Sequence, residues 1–273
     1  MREQTKKVLE ANRTLIMGIV NVTPDSFSDG GRYTNKDTLL KKVDELIRDG
    51  ADVIDVGGES TRPGATSISR DEELSRVIPA IESIRSNFEI PISIDTYKAE
   101  VARQSILAGA DLINDVWGAK KDPMMAGVAA GLTVPIILMH NRERKEYQNF
   151  LEEYIADIQE SIVTAKNAGV KEEFIWLDPG VGFAKTHEQN LLVLNHLDKL
   201  VELGYPVLLG TSRKSVIGHV LDLPVEERLE GTLATNCFGI TKGCKMVRVH
   251  DVKEMKRAAK MTDAMMRVGD MIG

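Results

Sequence analysis

Eight short apolar runs, each separated from the next by a longer amphipathic stretch, constrain this chain more than any other feature. The runs are 15–22, 53–56, 92–95, 112–116, 135–139, 174–177, 207–210 and 246–249. They are rich in Val, Ile and Leu and lack a helical period, the pattern of buried strands. The stretches between them repeat at helical spacing over 37–49, 71–86, 98–108, 149–168, 188–203 and 225–241, with a shorter helix over 123–130. A last helix, 252–271, places Met255, Ala259 and Met266 among the apolar positions of one side. Asp37 and Asp71 stand where N-caps are expected, and Gly50, Gly109, Gly169 and Gly204 where a glycine ends a helix. Strict alternation over 273 residues predicts an α/β fold, a single (β/α)8 TIM barrel occupying 1–273 with no linker. A doubly wound open sheet would require a glycine-rich fingerprint after the first strand, and none is present.

A net charge of −6 argues against nucleic acid or an anionic membrane as the principal partner. No apolar run approaches a membrane span, and residues 1–14 lack the apolar core of a secretory signal. Cys237 and Cys244 lack metal or redox spacing and read as reduced thiols. A soluble, cytoplasmic protein is the expectation.

Barrels of this kind carry catalytic groups at the C-terminal ends of their strands. Here those ends supply Asn21, then Asp55 followed by Gly57-Gly58-Glu59-Ser60-Thr61-Arg62-Pro63-Gly64, then Asp95, Asn114, His140, Asp178, Thr211-Ser212-Arg213-Lys214-Ser215, and Arg248 with His250. Carboxylates at 95 and 178 follow apolar residues, so burial is costly unless each meets a cation or a fork of donors. A ligand amino group beside a ring N–H, as in an aminopyrimidinone, is such a fork; the alternative is internal pairing with Lys214 and Arg213. Asn114 suits the mixed edge of a heterocycle, and Lys214 adds a donor. Arg248 and His250, two apart on a strand, share a face and form a candidate anion site. Asn21 and Asp29 could hold Mg²⁺ together with phosphate oxygens, although a strand-end Asn also serves to pin a loop. Phe27 and Pro63 are apolar residues in the polar loops 24–35 and 61–69, which fits a lid over a pocket.

The segments Met17-Gly18-Ile19-Val20-Asn21-Val22-Thr23-Pro24-Asp25-Ser26-Phe27-Ser28-Asp29-Gly30-Gly31, Asp55–Gly64 as quoted above, Ser93-Ile94-Asp95-Thr96, Ile113-Asn114-Asp115-Val116, Asp178-Pro179-Gly180-Val181-Gly182-Phe183, Thr211–Ser215 and Arg248-Val249-His250-Asp251 appear in one order along the chain. In that order the chain resembles the dihydropteroate synthase family of folate biosynthesis, the target of sulfonamides. The resemblance implies condensation of 6-hydroxymethyl-7,8-dihydropterin diphosphate with 4-aminobenzoate to 7,8-dihydropteroate and diphosphate, assisted by Mg²⁺. It implies pterin binding by Asp95, Asn114, Met139, Asp178 and Lys214, and a diphosphate grip by Thr61, Arg248 and His250. Metal would be held by Asn21 and Asp29. Phe27, Pro63, Phe183, Lys214 and Ser215 would shape the aminobenzoate pocket, Arg62 would be a further substrate-binding residue, and Asp29, Asp95, Asp178 and Lys214 would be the catalytic set. The family is commonly a homodimer through its late helices. Residues 140–144 are variable in the family, so no role follows for them beyond Met139. A pterin-dependent methyltransferase of the same superfamily has no use for the grip of Asn21, Arg248 and His250. A silent pterin-binding paralogue is disfavoured by the presence of Asp29, Arg62, Lys214 and Arg248.

Overall fold

The sheet is parallel throughout, and its ends meet. Strands β1 (Leu15–Asn21), β2 (Val53–Gly57), β3 (Ile92–Asp95), β4 (Leu112–Asp115), β5 (Ile136–Met139), β6 (Ile175–Asp178), β7 (Leu208–Leu209) and β8 (Met246–Val249) run in the order β6-β5-β4-β3-β2-β1-β8-β7. The remaining seam closes through a parallel bridge between Leu177 and Val207, where the Leu177 N–H donates to the Pro206 carbonyl at 3.0 Å. The computed structural model describes residues 2–22, 32–59 and 67–272 of the (β/α)8 barrel.

Period-two alternation divides the core in two. Residues such as Ile16, Val20, Ile54, Val56, Ile94, Ile113, Leu138, Leu177, Val247 and Val249 face outward and pack beneath the helices. Their alternates Leu15, Met17, Val53, Leu112, Ile137, Trp176, Leu208 and Met246 form a separate cluster in the bore. The bore is therefore packed with side chains, as expected of a barrel this narrow.

Outside lie α2 (Arg32–Asp49), α3 (Arg70–Asn87), α4 (Ala99–Leu107), α5 (Met125–Leu132), α6 (Phe150–Asn167), α7 (His187–Asn195), α8 (Leu197–Val201), α9 (Ser215–Leu221), α10 (Leu229–Thr241) and α11 (Val252–Ile272). The four glycines expected at helix ends all adopt positive φ, between 85° and 118°. The expected N-caps are corrected. Ser69 caps α3, its hydroxyl accepting from the Glu72 N–H, and Asp71 lies in the first turn, where a carboxylate favours the helix dipole. Helix α2 begins at Arg32, which leaves Asp37 inside it.

The helix expected over 188–203 is two helices, broken at His196, and begins one residue earlier. A reciprocal capping box of Thr186 with Gln189 sets that start. Between β7 and β8 the chain adds α9 and a 3-10 turn (Val225–Glu227) before α10, so the helix expected from 225 starts at Leu229.

A further helix, α1 (Glu3–Leu9), has no counterpart in the sequence pattern. It closes the N-terminal end of the barrel, where Val8, Leu9 and Ala11 pack against the bore cluster. Asp111, just before β4, clamps it: the carboxylate accepts from Arg2 Nε and Nη2 at 2.7 and 2.6 Å and from the Thr5 hydroxyl at 2.8 Å. The same carboxylate accepts from Arg85 Nη2 at 2.7 Å and the Ile92 N–H at 2.8 Å. Asp111→Ala strands one half-buried arginine and a buried N–H, so urea denaturation is expected to show a loss of ~3 kcal/mol. Ligand binding at the opposite end of the barrel should be unchanged; a change there as large as the loss of stability would show that the two ends are not independent.

Candidate active site

Two residues beyond the apolar cluster, the bore changes character on four strands: Val53 gives way to Asp55, Leu112 to Asn114, Trp176 to Asp178 and Met246 to Arg248. On β3 the interior positions are Ser93 and Asp95, and on β5 Met139 keeps the wall apolar, paired in register with Asp178. Polar side chains therefore gather at the C-terminal mouth above an apolar floor. Asp55, Asp95, Asn114 and Asp178 are all at most 4% exposed.

Burying so many carboxylates requires a cation, and Arg248 supplies it. Its Nε donates to Asp55 Oδ2 at 2.6 Å and its Nη2 to Asp95 Oδ2 at 2.7 Å. Asn114 Nδ2 donates to the same Asp55 oxygen at 3.2 Å. The other oxygens, Asp55 Oδ1 and Asp95 Oδ1, are buried with no hydrogen-bond partner among the described residues, as is Ser93 Oγ. Buried acceptors left without donors are costly, and at the mouth of a barrel they point to donors arriving on a ligand. Burial pushes the Asp95 carboxyl up to about 7, against the pull of Arg248 and with a smaller push from Asp55.

Asp178 sits across the mouth. Burial raises its pKa, while Lys214 and the Gly180 N–H, which donates to Oδ1 at 2.7 Å, oppose the rise. Lys214 reaches over from the loop after β7, its ammonium donating to the Val181 carbonyl and lying 4.8 Å from the Phe183 ring centroid. Desolvation brings this lysine down to about 8. The internal pairing considered from sequence is thus realised differently. Asp95 pairs with Arg248, and Arg213 forms its bidentate pair with Asp251.

The loop after β6 is built on a glycine. Gly180 has φ +64°, and a Cβ there would come within 2.0 Å of the His140 carbonyl oxygen. Beneath the loop lies Lys185, 4% exposed, whose Nζ contacts His140 Nδ1 at 2.7 Å, the Gly180 carbonyl at 2.9 Å and the Phe183 carbonyl at 3.0 Å. His140 Nε2 meets Asp157 Oδ2 at 3.0 Å. Burial, then Lys185, pulls His140 down to about 3; burial also pulls Lys185 well below the usual lysine range. Asp157 is held low by His140 and Arg142, against its own desolvation.

The other expected residues fall as follows. Asn21, exposed at the end of β1, and Asp95 flank Gly57: a Cβ on that glycine would lie 3.7 Å from Asn21 Oδ1 and 3.7 Å from Asp95 Oδ2. Arg248 and His250 share one face, but His250 Nδ1 is engaged by the Ser212 hydroxyl at 2.9 Å rather than by the carboxylates that hold Arg248. Met139 is buried, Phe183 half-buried, and Ser215 exposed at the start of α9. Phe27, Asp29, Thr61, Arg62 and Pro63 lie outside the described residues. Among the described residues no three His, Cys, Asp or Glu side chains converge as a metal cluster. Sequence reasoning gave no role to Asp55, Ser93, His140, Asp157, Lys185 or Ser212. Asp55, Ser93, His140 and Ser212 carried a positional signal, as polar residues in or just after apolar runs, whereas Asp157 and Lys185 carried none.

The model of the pterin binding enzyme family matches residues 17–250. A dihydropteroate synthase of Clostridium beijerinckii is 59% identical over 98% of this chain and 100% of its own length. A crystal structure of the dihydropteroate synthase of Clostridium difficile, determined in the presence of pteroic acid, superposes with a TM-score of 0.91 at 52% identity, covering 93% of this chain and 97% of that one. The Xanthomonas albilineans dihydropteroate synthase with 4-aminobenzoic acid gives 0.89 at 41% identity, covering 93% and 94%. The chain belongs to the pterin binding enzyme family and, within it, to the dihydropteroate synthases.

Proposed function

We propose that the barrel mouth joins 6-hydroxymethyl-7,8-dihydropterin diphosphate to 4-aminobenzoate, releasing 7,8-dihydropteroate and diphosphate. The observation that carries this reading is the pair of buried carboxylate oxygens near Asn114, Asp55 Oδ1 and Asp95 Oδ1, that have no donor among the described residues. The amino and ring N–H groups of a pterin supply donors to Asp95 and Asp178. Asn114 and Lys214 meet the acceptors of the same edge, and Met139 packs against the ring.

The reaction breaks the C–O bond between the pterin methylene and the diphosphate. The electron pair leaves with the diphosphate, and the positive charge left behind spreads into the pterin ring. Asp95 and Asp178 stabilise that charge because they are already oriented and dry. Arg248 commits Nε and Nη2 to carboxylates; Nη1, without a partner among the described residues, is directed to the leaving group alongside His250 and Thr61. The arylamine nitrogen then bonds to the methylene carbon and loses a proton to solvent. Phe27, Pro63, Phe183, Lys214 and Ser215 hold the aminobenzoate in line, which matters more than activation for a neutral nucleophile.

Mg²⁺ binds few protein groups and relies on phosphate oxygens. An amide oxygen at Asn21, beside the acidic mouth, fits that chemistry, and Asp29 would complete the protein's share. When bound, the ion supplies charge stabilisation to the departing diphosphate. We also assign a homodimer through α10 and α11, whose Phe238, Met261, Met265 and Val268 are large and exposed. The enzyme is assigned to the cytoplasm.

Incubation with the dihydropterin diphosphate, 4-aminobenzoate and Mg²⁺ is expected to release diphosphate and form dihydropteroate in equal amounts. A folded protein that releases none with any divalent cation would overturn the proposal. A second outcome follows from Asp95. Its carboxyl is protonated below about pH 7 in the free protein, and donors on a ligand require it ionised. Pterin binding at pH 6 should therefore release close to one proton, and at pH 8 almost none. Calorimetry in buffers of different ionisation enthalpy reads this directly; equal release at both pH values would remove Asp95 as the titrating group.

A further inference from the structure

The buried chain Asp157–His140–Lys185 meets the polar ring of the mouth at Asp178, whose carbonyl accepts from the His140 N–H at 3.0 Å, and it ends on the loop that carries Phe183. Lys185 Nζ has three neighbours within 3.0 Å, matching the three donors of an ammonium: His140 Nδ1 and the carbonyls of Gly180 and Phe183. His140 can serve Lys185 only through one ring nitrogen, because the other faces Asp157. A proton shared between Nζ and Nδ1 gives the pair one positive charge, which desolvation opposes and Asp157 favours. Asp157 is itself fixed from outside by Arg142, through Nε and Nη2. A cation this deeply buried is expensive unless its geometry is satisfied. A methionine or leucine would fill the space without that cost, so stability alone does not explain a lysine here.

What the lysine does is define where two successive turns of the β6 loop lie. It gathers the carbonyls of residues 180 and 183 onto one atom. Between them the Val181 carbonyl is presented to the Lys214 ammonium, and the Phe183 ring lies beneath that ammonium. We propose that Lys185, held by His140 and Asp157, is a positioning residue for the second substrate: it sets the Phe183 and Lys214 surfaces against which 4-aminobenzoate is placed. This inference rests on the condensation described above. Of the pterin-facing groups, Asp95 and Asn114 stand on β3 and β4 away from this network, while Asp178 and Lys214 adjoin it and are also held by their own strand and loop; the larger loss should therefore fall on 4-aminobenzoate.

The test compares Lys185→Met, His140→Leu, His140→Asn and the double variant Lys185→Met/His140→Leu with the wild-type chain. The double variant replaces both polar partners with apolar groups, which preserves folding where a single replacement leaves the other stranded. Expected are a rise of roughly 10-fold or more in the KM for 4-aminobenzoate, and a change under about 3-fold in the calorimetric Kd of a pterin lacking diphosphate. His140→Asn, which can still offer Lys185 an acceptor, should recover part of the loss. Amide hydrogen exchange of residues 180–186, measured without substrates, should quicken in Lys185→Met and not in a control such as Ser215→Ala. Exchange that does not change, or equal losses for both substrates in the double variant, would overturn the positioning role. Absence of condensation in the wild-type chain would instead refute the function while the exchange result still judged the network.

Discussion

The guanidinium of Arg248, shared between Asp55 and Asp95, is the contact on which the mouth of this barrel depends. Two carboxylates on neighbouring strands, both buried, repel each other and have lost their water. One bidentate cation offsets both costs and satisfies one oxygen on each. It leaves the second oxygen of each without a partner among the described residues, and that residue of unsatisfied charge is what a ligand edge can recognise. The same arginine thus stabilises the arrangement of carboxylates and leaves an oxygen of each able to bind.

The opposite end of the barrel shows the other use of buried charge. Asp111 is saturated by Arg2, Thr5, Arg85 and the Ile92 N–H, and Asp52 by Arg13, Lys256 and the Ile16 N–H. Saturated carboxylates fasten elements together; those at 55 and 95 are held open. A packed layer of Leu, Met, Val, Ile and Trp side chains separates the two ends. Stability at one end and chemistry at the other can therefore change separately, as the barrel fold generally permits.

Most of the fold was legible because period-two strands and amphipathic helices announce themselves locally: all eight strands fall within one residue of the expected bounds at each end. What was not legible has physical causes. Helix α1 is short and polar, and it is held by Asp111 from far along the chain, so no local pattern reveals it. The break at His196 and the extra helix α9 depend on packing around β7, the shortest strand. In the site, Asp95, Asn114, Asp178 and Lys214 stood out at or after strand ends, and the structure places them at the mouth of the barrel. The partner of Arg248 did not, because same-face spacing places a side chain without saying whether it turns inward to carboxylates or outward to an anion. Lys185 and Asp157 are invisible in sequence: a lysine in a loop and an aspartate in a helix become a network only when α6 packs beneath the β6 loop.

The central claim is that the partnerless oxygen of Asp95 receives a donor from the pterin. The most direct measurement is the calorimetric Kd of a pterin lacking diphosphate with wild-type protein and with Asp95→Asn. The asparagine keeps the shape and can still accept from Arg248, but it turns an amide N–H₂ toward the ligand's own donors. An unsatisfied, opposed pair of this kind is expected to weaken binding by ~100-fold or more, with the fold intact by circular dichroism. Affinity within about 3-fold of the wild-type value would contradict the account, since such a site rejects a mispaired edge far more strongly than that.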